Sequence, residues 1–231
     1  MKPDPDSDRA PRARRPLRIL IEAVHPADVL FFAVPLRKLR DAGHEVIVAA
    51  RDKDVTLDLL AEMGLPHRTV SRQGSGLPGL AWELFRRDVA LLRLAGEFEP
   101  DVMAGFGGVA ISHVGRLRGI PAIGFYDTDR AVLQQRLTLP FIAWQYVSEA
   151  YDGPVAAGRT SRFPGVKELS YLHPENFRPD PERARRAGHV RGQRNHAVRV
   201  VNWAANHDVG RSGWSLDGLR AVITTLAERG A

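Results

Sequence analysis

The stretch LRILIEA, residues 17–23, limits what this chain can fold into more than any other. Its apolar residues run consecutively instead of alternating with polar ones. A strand made from it is therefore covered on both faces, as parallel strands flanked by helices are. EVIVAA repeats that texture, and HRTVS, DVMAGF, IPAIGFYD and FIAWQYVS continue it, with RTSRFPG as one further short strand. Segments with helical spacing lie between them. ADVLFFAVPLRKLRDAGHE is one, with Pro35 expected to bend or shorten it and Gly43 to end it. DVTLDLLAEMG is a second, with Asp54 as N-cap, followed by a long helix from Leu80 to Phe98 and then by VAISHVGRLRG and AVLQQRL. Alternation at this spacing predicts an α/β fold: a doubly wound, Rossmann-like parallel sheet with helices on both faces.

Residues 17–165 make up that domain. Before it, MKPDPDSDRAPRARRP (residues 1–16) combines proline with mixed charge, has nothing to bury, and reads as a disordered basic tail. After it, residues 166–195 are rich in proline and arginine and read as a linker. Residues 196–231 supply one strand and one helix, the helix opened by Ser215. Such a pair cannot bury its apolar faces alone, so it reads as the start of an incomplete second domain.

The chain has no cysteine, which excludes disulfides, thiolate nucleophiles and Cys-ligated zinc. No other residues have metal-ligand spacing, and neither a metal nor a cofactor is expected. The net charge is +6, carried mainly by arginine, with lysine only at Lys2, Lys38, Lys53 and Lys167. That balance suits phosphate, nucleic acid or an anionic membrane surface. The arginines are scattered without interleaved aromatics, which argues against nucleic acid. No apolar run approaches the roughly 18 residues of a membrane span, and the N-terminus lacks the apolar centre of a signal peptide. A cytoplasmic location follows, with peripheral contact at the inner face of the membrane as an option. That option requires Trp82 and Phe85 of the long helix to be exposed beside Arg86 and Arg87, whereas their spacing predicts inward packing.

The glycine cluster AGFGGVAISH, residues 104–113, admits three readings. Gly105, Gly107 and Ala110 satisfy a dinucleotide fingerprint, and Asp127 and Asp129 follow about twenty residues on, but the cluster follows the fourth strand, not the first. The glycines can instead serve packing alone, or line a substrate cleft with helix N-terminal N–H groups suited to a phosphate or sugar hydroxyl. With strand order 3-2-1-4-5, the turns EAVHPAD and GFGG flank the crevice at the carboxyl edge, and FYDTD lies beside it. His25 is then a candidate general base, and Asp28 a ligand contact or helix N-cap. Gln73, Gly74 and Ser75 form a polar loop suited to closing over a ligand. Gly105, Gly107 and Gly108 form the cleft floor. Asp127, Thr128 and Asp129 are placed to bind sugar hydroxyls or to start a helix, and Glu149 and Tyr151 are weaker candidates.

PDVMAGFGGVAISHVGRLRGIPAI and LRKLRDAGHEVIVAARDKD resemble segments of the glycosyltransferase-B superfamily. That superfamily includes the lipid-linked N-acetylglucosaminyltransferase of peptidoglycan synthesis and the UDP-N-acetylglucosamine 2-epimerases. LIEAVHPADVLFF, TVSRQGSG, GFGGVAISHVGRL, FYDTD, FPGVKELSYLHP and NHDVGRSG together resemble, more closely, the prokaryotic "domain of unknown function" family numbered 354. The resemblance implies two facing Rossmann-like domains, with a nucleotide-sugar donor held mainly by the second and a sugar or lipid-phosphate acceptor by the first. This sequence would then supply the acceptor side and, truncated, lack most of the donor half. His207, with Asn206 and Asp208, would face the cleft from the second domain. Transfer or epimerisation of a sugar from a UDP-type donor is the implied chemistry. The alternative is a non-catalytic module that binds a sugar or polyprenyl phosphate and pairs with a separate donor domain or with itself.

Overall fold

The computed structural model describes residues 15–74, 76–200 and 213–229, with only the backbone of Leu77. Residues 1–14 of the expected tail, Ser75, and the segment holding Asn206, His207 and Asp208 lie outside the described residues. The first unit alternates β1 (Arg18–Ala23), α1 (Pro26–Asp41), β2 (Glu45–Asp52), α2 (Thr56–Glu62), β3 (His67–Arg72) and α3 (Gly76–Phe98). It continues with β4 (Val102–Phe106), α4 (Val109–Arg118), β5 (Ala122–Tyr126), α5 (Val132–Thr138), β6 (Trp144–Ser148), β7 (Thr160–Phe163) and α6 (Leu169–Leu172). The strands form one parallel sheet in the order β3-β2-β1-β4-β5-β6-β7. This is the doubly wound sheet expected, with the switch in winding direction between β1 and β4.

Both faces of β1 are covered, as its unbroken apolar run requires. Leu20 packs with Met103, Leu91, Leu94, Ile111 and Val114 on the α3–α4 side. Ile19, Ile21 and Ala23 pack with Phe31, Phe32 and Leu36 of α1 and Leu60 of α2 on the other. Edge-on aromatic contacts extend the second core toward β4 and β5, with Phe31 at 5.3 Å from Phe106 and 5.1 Å from Phe125.

Several local expectations differ from the structure. Pro35 sits inside α1 without ending it. A proline in a helix interior costs about 3 kcal/mol, and burying Phe31, Phe32, Val34 and Leu36 at about 1.5–3 kcal/mol each outweighs that. Asp54 does not cap α2. It takes a left-handed conformation (φ 49°), and Val55 occupies the cap position without a side-chain bond. Arg15, assigned to the tail, pairs with Asp101, whose carboxylate also accepts the Arg18 N–H at 2.8 Å.

The first unit extends to Asn176, because the segment after β7 doubles back and seats α6 against α1. The linker expected from residue 166 therefore does not begin there. The second unit, from Phe177, contains α7 (Pro181–Arg186), capped by Asp180, and α8 (Leu216–Glu228), capped by Ser215. Residues 196–200 form no strand, consistent with their having no described neighbour to ladder with. Among the described residues no helix is long and apolar enough to cross a membrane.

Candidate functional site

The carboxyl edge of the sheet gathers most of the expected residues, each delivered by the turn after its strand. His25 follows β1 as the N-cap of α1, its Nδ1 accepting the Ala27 N–H at 3.1 Å. Asp28 is thus not the N-cap but the third residue of the helix, and its Oδ2 accepts the N–H groups of Val24 and His25 at 2.9 Å each. Burial pushes the Asp28 carboxyl up to about 7 despite those two donors. An imidazole whose Nδ1 accepts carries its proton on Nε2 when neutral.

Gly105, Gly107 and Gly108 are buried. Each has a steric reason to be glycine. A Cβ on Gly105 would lie 3.3 Å from Glu22 Cβ, and Gly107 and Gly108 hold φ of 76° and 59°. The Gln134 side chain lies directly over Gly107, and the Tyr126 hydroxyl donates to the Gly107 carbonyl at 2.6 Å. At the first turn of α4, the Ile111 N–H favours the charged form of the Glu22 carboxyl. The Ile111 N–H, one of the helix N-terminal donors considered for a phosphate or a sugar hydroxyl, is thus directed at an internal carboxyl.

Glu22 belongs to a buried ion-pair network that the sequence reading missed. Arg87 lies 3.4 Å from both Glu22 and Glu83, Glu83 also pairs with Arg51, and it accepts the Ser71 hydroxyl at 2.8 Å. Burial raises the Glu22 carboxyl above the usual carboxylate range even with Arg87 opposing. Burial likewise lowers the nearby Lys53 ammonium at the end of β2. The available signal was a carboxylate inside a strand covered on both faces.

Asp127 and Asp129 line a cavity of about 240 Å³ beyond β5, β6 and β7, with Tyr126, Tyr151, Lys167 and Glu168. Lys167 bridges elements distant in sequence. Its ammonium pairs with Asp127 and lies 4.7 Å over the Phe106 ring, and its charge is felt by Asp28. Sequence reading placed Lys167 in the linker, although it lies in the FPGVKELSYLHP motif and is one of four lysines in an arginine-rich chain. Thr128 donates to Asp127 at 2.9 Å, and Asp129 accepts the Asp152 N–H at 3.3 Å. Arg162 fixes the turn that presents Tyr151, donating to the carbonyls of Ser148, Glu149 and Tyr151. Burial raises the Tyr151 phenol.

Gln73 and Gly74 follow β3, four strand steps from β5, a separation of about 19 Å at about 4.8 Å per step. Gly74 meets the backbone of Gly79 too closely to carry a Cβ, with 2.4 Å to the Gly79 oxygen. Trp82 and Phe85 do not pack inward. They are 61% and 58% exposed and stack on each other at 5.5 Å, while Glu83 and Arg87 take the buried positions.

The sequence matches the model of the family described as "Protein of unknown function (DUF354)" over residues 17–169. The chain belongs to this family. No curated protein matches it. Among solved structures, this DUF354 member resembles MurG of Acinetobacter baumannii, at 17% identity and a TM-score of 0.55, covering 65% of this chain and 46% of that one. UDP-GlcNAc 2-epimerase from Neisseria meningitidis aligns at 15% identity and a TM-score of 0.48, covering 58% of this chain and 41% of that one. The Streptomyces sp. SF2575 glycosyltransferase SsfS6 aligns at 18% identity and 0.45, covering 63% and 53%. The chain spans about half the length of these structures. At these identities the likeness to MurG is one of fold, the Rossmann-like half of a glycosyltransferase-B architecture.

Proposed function

We propose that this chain is the acceptor-side domain of a glycosyltransferase-like protein that uses a nucleotide-sugar donor of UDP type. The observation that carries the reading is the cavity beyond β5–β7, where Asp127 and Asp129 offer acceptors to sugar hydroxyls and Tyr126 and Tyr151 are also among the lining residues. Asp127, Asp129 and Glu168 set three carboxylates against the single ammonium of Lys167. That balance favours a hydroxyl- or amine-bearing acceptor over a phosphorylated one. The Glu22 carboxyl at the α4 N-terminus works in the same direction. His25, at the carboxyl edge of the sheet, serves as base through Nδ1 only after giving up its bond to Ala27. The exposed Trp82–Phe85 pair beside exposed Arg86 supports contact with an anionic membrane surface, whereas Arg87 is committed to the buried network.

A second reading, a non-catalytic sugar-binding module, is favoured by the structural commitments of the two candidate proton carriers, His25 Nδ1 to Ala27 and Asp28 Oδ2 to Val24 and His25. An amide-resolved NMR titration with glucosamine, N-acetylglucosamine and UDP tests the main proposal. The sugars should shift residues 126–129, 148–151 and 166–168, and UDP should not. Tight UDP binding by this chain alone, or sugar shifts confined elsewhere, would overturn it. Supplying a separate donor domain and finding sugar binding without transfer would select the second reading.

A further inference from the structure

His113 of α4 sits where three helices meet. Its Nδ1 lies 2.9 Å from the Asp88 carboxylate of α3, and its Nε2 lies 3.0 Å from the Leu137 carbonyl in the last turn of α5. Both neighbours are acceptors, so only an imidazolium, with a proton on each nitrogen, bonds to both at once. The ring is partly buried, and Phe141 stands edge-on to it at 5.4 Å. Asp88, through its hydrogen bond and its charge, and more weakly Glu22 of β1 raise the imidazole above its ordinary 6.5 against the cost of burial. Arg116 on α4 and Arg136 on α5 are exposed, and Arg87 beside Asp88 is committed to Glu22 and Glu83.

Loss of a proton breaks one of the two bonds, and the chemistry of the acceptors decides which. A proton left on Nδ1 keeps a charge-assisted bond to a carboxylate. A proton left on Nε2 keeps only a bond to a neutral carbonyl and points the Nδ1 lone pair at an anion. Asp88 adds to this preference, since its other oxygen is buried without a hydrogen-bond partner. The neutral ring therefore stays with α3 and releases α5. That helix has seven residues, and the Leu137 carbonyl is among the last four, which find no partner within a helix. Release matters because of what α5 carries. Gln135, fully buried, donates from Nε2 to the carbonyls of Thr128 and Asp129 at 3.1 and 3.2 Å and to the Tyr151 hydroxyl at 2.9 Å. Asp129 and Tyr151 line the cavity beyond β5, β6 and β7.

We propose that His113, as an imidazolium, is a positioning residue: it holds α5, and through Gln135 the Asp129–Tyr151 wall of the cavity, so that raising the pH loosens that wall. Its effect on sugar binding rests on the function proposed for the cavity, whereas its effect on the wall does not. The test is an NMR titration of the full chain between about pH 5 and pH 9, with and without N-acetylglucosamine, whose charge is constant over that range. The ring should titrate above 6.5 and keep its last proton on Nδ1, and the amides of residues 127–139 and 149–152 should follow it. Affinity for the sugar should fall about fivefold through the same midpoint. The Asp28 carboxyl also titrates, at about 7, and two variants separate the contributions. Asp88→Asn should move the ring, the amides and the affinity step to lower pH together, and His113→Gln should leave only the Asp28 contribution. Amides of residues 127–139 that ignore the ring, a neutral ring protonated on Nε2, or an affinity step as large in His113→Gln as in wild type would overturn the proposal. If the amides follow the ring but no sugar binds at any pH, the positioning role stands and the sugar-binding reading of the cavity falls.

Discussion

Replacing Asp28 with asparagine isolates the energetic consequence of a carboxyl buried at the carboxyl edge. The folded-state value of about 7 lies above the ordinary 3.8. Protonation therefore favours the folded chain, and the stabilisation is complete below 3.8 and lost as pH rises through about 7. Integrated from pH 5 to pH 8, this one site lowers wild-type stability by about 2.5 kcal/mol. In a domain of this size that is about 5–10 °C in Tm. Both backbone donors meet the same oxygen, Oδ2, so the carbonyl oxygen of asparagine can accept both and the helix start is retained. Urea denaturation of wild type and Asp28→Asn at each pH should give stability profiles that approach one another near pH 4, diverge between pH 4 and pH 7 and run parallel above that, the variant being the more stable. Groups not coupled to Asp28, such as His113, which Asp88 holds above its usual value, contribute equally to both proteins and cancel. Profiles parallel from pH 4 upward would refute the reasoning, since they would mean that Asp28 ionises in the fold as easily as in water.

Tyr126→Phe removes the buried donor to Gly107 and should cost about 1–3 kcal/mol by chemical denaturation. Glu83→Ala, which leaves Arg51 and Arg87 buried without their shared partner, should cost about 3–5 kcal/mol, whereas Trp82→Ala on the same helix should cost less than about 1 kcal/mol. A reversed ranking would mean that the aromatic pair is covered in solution. The double variant Trp82→Ala/Phe85→Ala should lower co-sedimentation with anionic vesicles without lowering Tm, and unchanged co-sedimentation would remove the membrane contact from the proposal.

The sheet was legible because strands buried on both faces carry their signature locally, in unbroken runs such as Leu17–Ala23. The carboxyl edge was legible in outline, since winding order alone puts the turns after β1, β4 and β5 there. The buried network was not, because pairing Glu22 with Arg87 depends on how α3 is rotated against the sheet. That rotation also explains the reversal at Trp82 and Phe85. Apolar spacing on α3 marks more than one stripe, and the stripe facing the sheet runs from Leu91 to Phe98 but begins with Glu83 and Arg87, opposite polar groups of β1 and β2. Lys167 was out of reach for a different reason. Composition around it resembles a connector, and only the return of the chain to α1 brings it beside Asp127.

That return path has a practical outcome for anyone dissecting the protein. A fragment stopped where the composition changes, at residue 165, would keep all seven strands yet discard the ammonium that neutralises Asp127 and the short helix that shields α1. Such a fragment would test a different binding surface from the one the intact chain presents. The natural place to cut is beyond Asn176.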